Sequence, residues 1–121
     1  MIAGIGLDVV EVARMERLLA RSPGFAERYF TAAERTACMA ARRPAERWAS
    51  CFAVKEALLK AVGVGVLGSI ELHEIEVVLG DRETVQVRAI GSARAAIGER
   101  RVWASVAVGG GQAWASVVLA G

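Results

Sequence analysis

The chain has 121 residues, enough for one domain around a single core, and its 55% hydrophobic content is high for a monomer of that size. A formal net charge of +2 gives no reason to expect nucleic acid, and no run reaches the ~20 apolar residues of a membrane helix. The N-terminus lacks a basic-then-apolar signal pattern, so a cytoplasmic protein is expected, and the apolar surplus predicts a surface that meets another subunit.

Residues 1–8 read as a strand in which Ala3, Ile5 and Leu7 alternate with Gly4 and Gly6, glycines that permit close backbone approach. Residues 10–20 read as a helix with Arg14, Arg17 and Arg21 on one face, stopped by Pro23-Gly24. Residues 25–30 form a short helical segment. Thr31 with Glu34 is a capping box that opens a helix to about Ala41. A central helix covers residues 45–62, buried through Trp48, Phe52, Leu58, Leu59 and Val62 and stopped by Gly63. Residues 70–79 read as a strand that returns, through a turn at 80–83, as a strand over 84–90. Ser92 is expected to cap a short helix ending near Gly98, and strands 102–108 and 112–119 form a hairpin around Gly109-Gly110-Gly111. A strand, then helices, then mostly antiparallel strands make a single α+β domain spanning 1–121, built on a long central helix.

Chemistry concentrates in residues 52–64. Lys55, Glu56 and Lys60 stand in an otherwise apolar run, with Glu56 and Lys60 at i, i+4. Read alone, Glu56 and Lys60 are an exposed helix pair worth roughly 0.3–0.5 kcal/mol, or a carboxylate buried because it holds something. Asp8, at the end of the first strand, is either an N-cap for the following helix or a second carboxylate; two carboxylates together with substrate phosphates are the usual way to hold Mg²⁺. Gly63, Gly65 and Gly68 spell GxGxxG, but with a helix before and a strand after, the reverse of a dinucleotide fingerprint. A turn presenting amides to phosphate and a plain helix exit remain open readings. The arginine face is either solvated charge or a docking surface for an acidic protein. Cys38 and Cys51 form no CxxC, and with a lone His73 they make no zinc set, so reduced, buried thiols are expected.

Three stretches in order resemble the holo-acyl-carrier-protein synthases, the small 4′-phosphopantetheinyl transferases. They are Gly4-Ile5-Gly6-Leu7-Asp8 with Glu11 and Arg14; Phe25-Ala26-Glu27-Arg28 with Phe30, Thr31 and Glu34; and Phe52-Ala53-Val54-Lys55-Glu56-Ala57 with Lys60-Ala61 and Gly63-x-Gly65. The resemblance implies the phosphopantetheinyl transferase fold, a homotrimer with sites between subunits, and Mg²⁺-dependent transfer of the phosphopantetheine arm of coenzyme A to a serine of an acyl carrier protein. It implies Asp8 and Glu56 as metal ligands, Glu56 as the group that helps take the serine proton, and Lys60 as the neutraliser of phosphate charge. It places Lys55, Lys60, Gly63, Gly65 and Ser105 at the cofactor, and Arg14, Leu18, Arg21, Phe25 and Arg28 at the carrier. The chain departs from the family pattern at Cys51, where arginine is common, at Val64, in the hairpin Ser105-Val106-Ala107-Val108, which lacks the usual histidine, and in the turn at 80–83. These departures motivate an alternative: a member that binds a carrier protein without turning over coenzyme A.

Overall fold

The computed structural model describes residues 1–63, 70–80 and 84–121. The order of elements is β1 (Ile2–Glu11), α1 (Val12–Arg21), α2 (Phe25–Tyr29), α3 (Ala32–Ala40), α4 (Pro44–Val62), a 3-10 turn (Leu72–Glu74), β2 (Ile75–Leu79), β3 (Val85–Ala89), α5 (Gly91–Ile97), β4 (Arg101–Gly109) and β5 (Gln112–Ala120). Two antiparallel sheets result, a three-stranded one in the order β1-β5-β4 and a β2-β3 hairpin, with α4 packed across the inner face of β1 and β5. The α+β architecture expected from the sequence is the one observed.

The helix α4 starts at Pro44, whose missing N–H costs nothing in the first turn, and carries Glu46 at its start and Lys60 at its end, in the sense the helix dipole favours. Its end at Gly63 requires a glycine, because φ there is 115°. Ala49, Ala53, Val54, Ala57, Leu58 and Ala61 are buried along it, whereas Phe52, Leu59 and Val62 are only half-buried.

The helix meets β1 at unusually close range. A Cβ on Gly4 would lie 2.0 Å from the carbonyl oxygen of Ala61, and one on Gly6 would lie 1.8 Å from that of Ala57. Two strand residues advance roughly 6.6 Å and four helix residues roughly 6 Å, so the two matched contacts keep one register. Continuing that register on the same face of β1 brings Asp8 to the middle of α4.

Several boundaries differ from those expected. The strand β1 runs on to Glu11, because β5 continues to pair with it through Val9↔Trp114, Val10↔Ala113 and Glu11↔Gln112. The helix α1 therefore begins at Val12, its N-cap is Glu11, and Asp8 caps nothing. Residues 70–79 are not one strand: Leu72–Glu74 close a 3-10 turn in which the Glu74 N–H donates to Glu71 O. Ser92 lies inside α5 rather than at its cap, which is Ile90; the Glu74 carboxylate reaches across to accept from the Ser92 N–H and hydroxyl. The Thr31 capping box is present as expected, with Thr31 Oγ1 accepting from the Glu34 N–H and Glu34 accepting from the Thr31 N–H.

Glycine on the inner face of β1 sends its apolar residues outward. Ile5, Leu7 and Val9 are exposed on the outer face of the sheet beside Trp103 and Trp114, with Leu7 65% and Trp103 59% exposed.

Candidate active site

Asp8 and Glu56 line one cleft of ≈ 510 Å³, together with Arg14, Met15, Leu18, Phe25, Tyr29, Phe52 and Leu72. Lys60 approaches from one turn beyond Glu56. Side chains on a helix lean toward its N-terminus, which carries the Lys60 ammonium back to Asp8 Oδ1 at 3.0 Å and to the Leu7 carbonyl at 3.0 Å. The Glu56–Lys60 helix pair, one of the two readings open from the sequence, is therefore not formed; the strand carboxylate takes the lysine. Among the described residues Glu56 makes no hydrogen bond or ion pair. Burial, followed by the negative charge of Asp8, raises its carboxyl above the ordinary range, and Lys60 partly offsets this.

Those two carboxylates fit a divalent cation. One is half-buried and without a partner, its neighbour is of like charge, and a cation between them would remove the repulsion that raises Glu56. Among the described residues no cluster of three or more His, Cys, Asp or Glu side chains could hold a metal ion by itself.

One wall of the cleft is aromatic. Phe25 meets Tyr29 edge-on at 5.0 Å between centroids and Phe52 at 5.9 Å. Arg14, Leu18 and Phe25 border the cleft, while Arg21 and Arg28 lie exposed outside it. Three of these five residues thus border the cleft that Glu56 lines.

Of the residues expected at the cofactor, Lys55 and Ser105 do not line the cleft of Asp8 and Glu56. Lys55 is completely buried and does not itself line the cleft. Its Nζ donates to the carbonyls of Tyr29 (2.9 Å), Leu72 (2.9 Å) and Ile75 (2.7 Å) and pairs with Glu34 Oε1 at 2.6 Å. An ammonium has three N–H donors, so none is left for a ligand. Burial lowers its pKa, and Glu34 opposes that shift. Gly63 spends its N–H on Leu59 O, and Gly65 lies outside the described residues. Ser105 is exposed on the outer sheet face, in contact with Ser116 Oγ at 2.7 Å. With Asp8 and Trp114 it borders a second, open cleft. Cys51, where the family pattern has arginine, is buried, and its hydrogen bond to Cys38, followed by burial, raises its thiol pKa. Sequence reasoning missed the pairing of Glu34 with Lys55, although both stood in the matched stretches.

Comparison with known proteins defines the class first. Residues 4–117 match the 4′-phosphopantetheinyl transferase superfamily. Among individual relatives, a holo-[acyl-carrier-protein] synthase of Frankia casuarinae is 45% identical over 95 residues, covering 78% of this chain and 75% of that protein. Another, of Cytophaga hutchinsonii, is 47% identical over 77 residues, which take in 64% of this chain but only 61% of that protein. The holo-[acyl-carrier-protein] synthase of Neisseria meningitidis has the same fold throughout, with TM-score 0.84 at 30% identity and full coverage of both chains. That of Bacillus anthracis str. Ames, solved in complex with CoA (3′,5′-ADP), has TM-score 0.82 at 34% identity and covers 99% of this chain and 97% of its own. The chain belongs to the holo-acyl-carrier-protein synthase family of phosphopantetheinyl transferases.

Proposed function

We propose that the chain transfers the 4′-phosphopantetheine arm of coenzyme A to a serine of an apo acyl carrier protein, with Asp8, Glu56 and Lys60 as its working groups. The observation that carries this is their convergence: a strand and a helix locked together at Gly4 and Gly6 present two carboxylates to one cleft, with the lysine paired to Asp8. Coenzyme A complexes of family structures, including the Bacillus anthracis protein, support coenzyme A as the co-substrate. Asp8 and Glu56 would hold Mg²⁺, which when bound neutralises pyrophosphate charge and makes the leaving phosphate easier to expel.

In the transfer the serine oxygen forms a bond to the phosphorus that carries the pantetheine. The bond from that phosphorus to the oxygen of the adenosine 3′,5′-bisphosphate leaving group breaks. Glu56 receives the serine proton, and its raised pKa brings its basicity closer to the working pH than that of a free carboxylate. Lys60, half in solvent, supplies positive charge to the phosphate oxygens as the P–O bond breaks. Arg14, Arg21 and Arg28 attract the carrier, and Leu18 and Phe25 give it apolar contact.

The assembly proposed is a homotrimer. The outer sheet face, with Ile5, Leu7, Val9, Trp103 and Trp114 exposed, is too apolar to stand in water, and copies of this chain would cover it. Ser105 then sits at a subunit boundary, where it can serve a site shared between subunits. No described helix is long and apolar enough to cross a membrane, and both cysteines are free, which accords with work in the cytoplasm. The test is mass spectrometry of an apo carrier protein incubated with enzyme, coenzyme A and Mg²⁺. Gain of one phosphopantetheine is expected with the wild type and no gain with Glu56→Ala; equal gain with both would make Glu56 merely structural.

A further inference from the structure

We propose that Lys55 and Glu34 form a positioning pair for the transfer: the Lys55 ammonium, which touches no substrate, holds the Tyr29 and Leu72 wall of the cleft at a fixed distance from Glu56. This rests on the transferase reading above.

The geometry is direct. Lys55 precedes Glu56 in α4, so the two backbones belong to one rigid helix. Its ammonium bonds the last carbonyl of α2, at Tyr29, and the first of the 3-10 turn, at Leu72. Both residues line the cleft that Glu56 lines, and they come from segments 43 positions apart in the sequence. The third carbonyl, at Ile75, starts β2. Glu34 secures the other side: besides Lys55 it accepts from the Thr31 N–H at 2.8 Å and the Val77 N–H at 2.7 Å, fastening α3 to β2. The Phe30 ring lies 5.2 Å from the same ammonium. Five segments thus meet at one buried charge.

Net stability is a poor reason for that arrangement. A buried ion pair recovers little more than its own desolvation cost, and an apolar pair of similar volume often does as well. What an apolar pair does not provide is a set of directional bonds to three chosen carbonyls. The distance from wall to acid is what those bonds fix.

The experiment combines two measurements. The chain has two lysines, Lys55 and Lys60, so ¹⁵N-lysine labelling gives a two-resonance ammonium spectrum. In the wild type the Lys55 signal should be protected from solvent and unmoved by coenzyme A with Mg²⁺, while the Lys60 signal shifts. A Lys55 shift as large as that of Lys60 would overturn the proposal. Second, Lys55→Met and the double variant Lys55→Met/Glu34→Gln are compared by melting temperature, kcat, KM and backbone amide exchange over residues 25–31 and 70–76. Lys55→Met should melt lower, lose kcat about 100-fold through misplacement of the wall, and exchange faster in both segments. The double variant should regain most of the melting temperature but not the kcat. Recovery of kcat with stability would reduce the pair to a structural role, and a rise in coenzyme A KM with kcat intact would make Lys55 a ligand. Absence of transfer by the wild type would refute the transferase reading, and the exchange data would still report on the tether.

Discussion

Replacing Gly6 with alanine tests how the site is assembled. The added Cβ would stand 1.8 Å from the Ala57 carbonyl oxygen and 2.8 Å from both the Ala57 carbonyl carbon and the Ala61 nitrogen. All three are backbone atoms of α4, so no side-chain rotation relieves the clash. Restoring even a 3.0 Å separation moves strand from helix by 3.0 − 1.8 = 1.2 Å. Asp8 lies two residues on, on the same face of β1, and moves with the strand relative to Glu56 and Lys60. A misplacement of ~1 Å costs about 100-fold in rate, and overpacking of this kind costs roughly 1–3 kcal/mol of stability. The assay is the initial rate of carrier modification at saturating coenzyme A and Mg²⁺, below the melting transition of both proteins. Gly98→Ala is the control: its φ of 66° makes alanine strained, but among the described residues nothing beyond its chain neighbours lies within 4 Å, so it should lower stability and leave the rate alone. Wild-type kcat in a folded Gly6→Ala enzyme would refute the idea that this close packing sets the site.

Three further outcomes are expected. Glu56→Gln should inactivate the enzyme yet stabilise the metal-free protein above neutral pH. Its folded pKa is raised, so the folded state holds the proton over a window in which the unfolded state has lost it; stability then falls as pH rises through that window. Thermal melts at pH 4 and pH 8 check this, and a lower melting temperature for the variant at pH 8 would contradict it. Asp8→Ala should cost no more than about 1 kcal/mol, since its lysine partner is 53% exposed, while abolishing Mg²⁺-dependent protection against heat; chemical denaturation with and without the ion measures both. Leu7→Glu, which places charge in the outer sheet face, should give a folded monomer by sedimentation velocity, and an intact trimer would remove that face from the interface.

Local signals in the sequence survived folding wherever one segment decides the outcome. The Thr31 capping box and the stop at Gly63 each depend on a few neighbouring atoms, and each is present; the close approach that Gly4 and Gly6 permit is present too, against the distant helix α4. Asp8 and Glu56 were legible as candidates because one is an acid at a strand end, the other an acid inside an apolar helical run, and both fall in the stretches that resemble the family. What the sequence did not reveal depends on distant partners. The outward face of Ile5 and Leu7 follows from α4 needing the glycine side, and strict alternation alone does not say which side is inner. The extension of β1 to Glu11 is imposed by β5, more than a hundred residues later in the chain. Lys55 shares a motif with Glu56, yet a rotation of 100° along the helix sends one to the core and the other to the cleft. Its partner Glu34 looked complete as a capping residue, so nothing local announced a second bond.

The central claim is that Asp8 and Glu56, held together by β1 and α4, perform phosphopantetheine transfer. Its most direct measurement is the mass of an apo carrier protein after incubation with this enzyme, coenzyme A and Mg²⁺, with a chelator arm and a Glu56→Gln arm alongside. The expected result is one added phosphopantetheine on a single serine with the complete mixture and none in either other arm. Unmodified carriers in every arm, or full modification by Glu56→Gln, would contradict it.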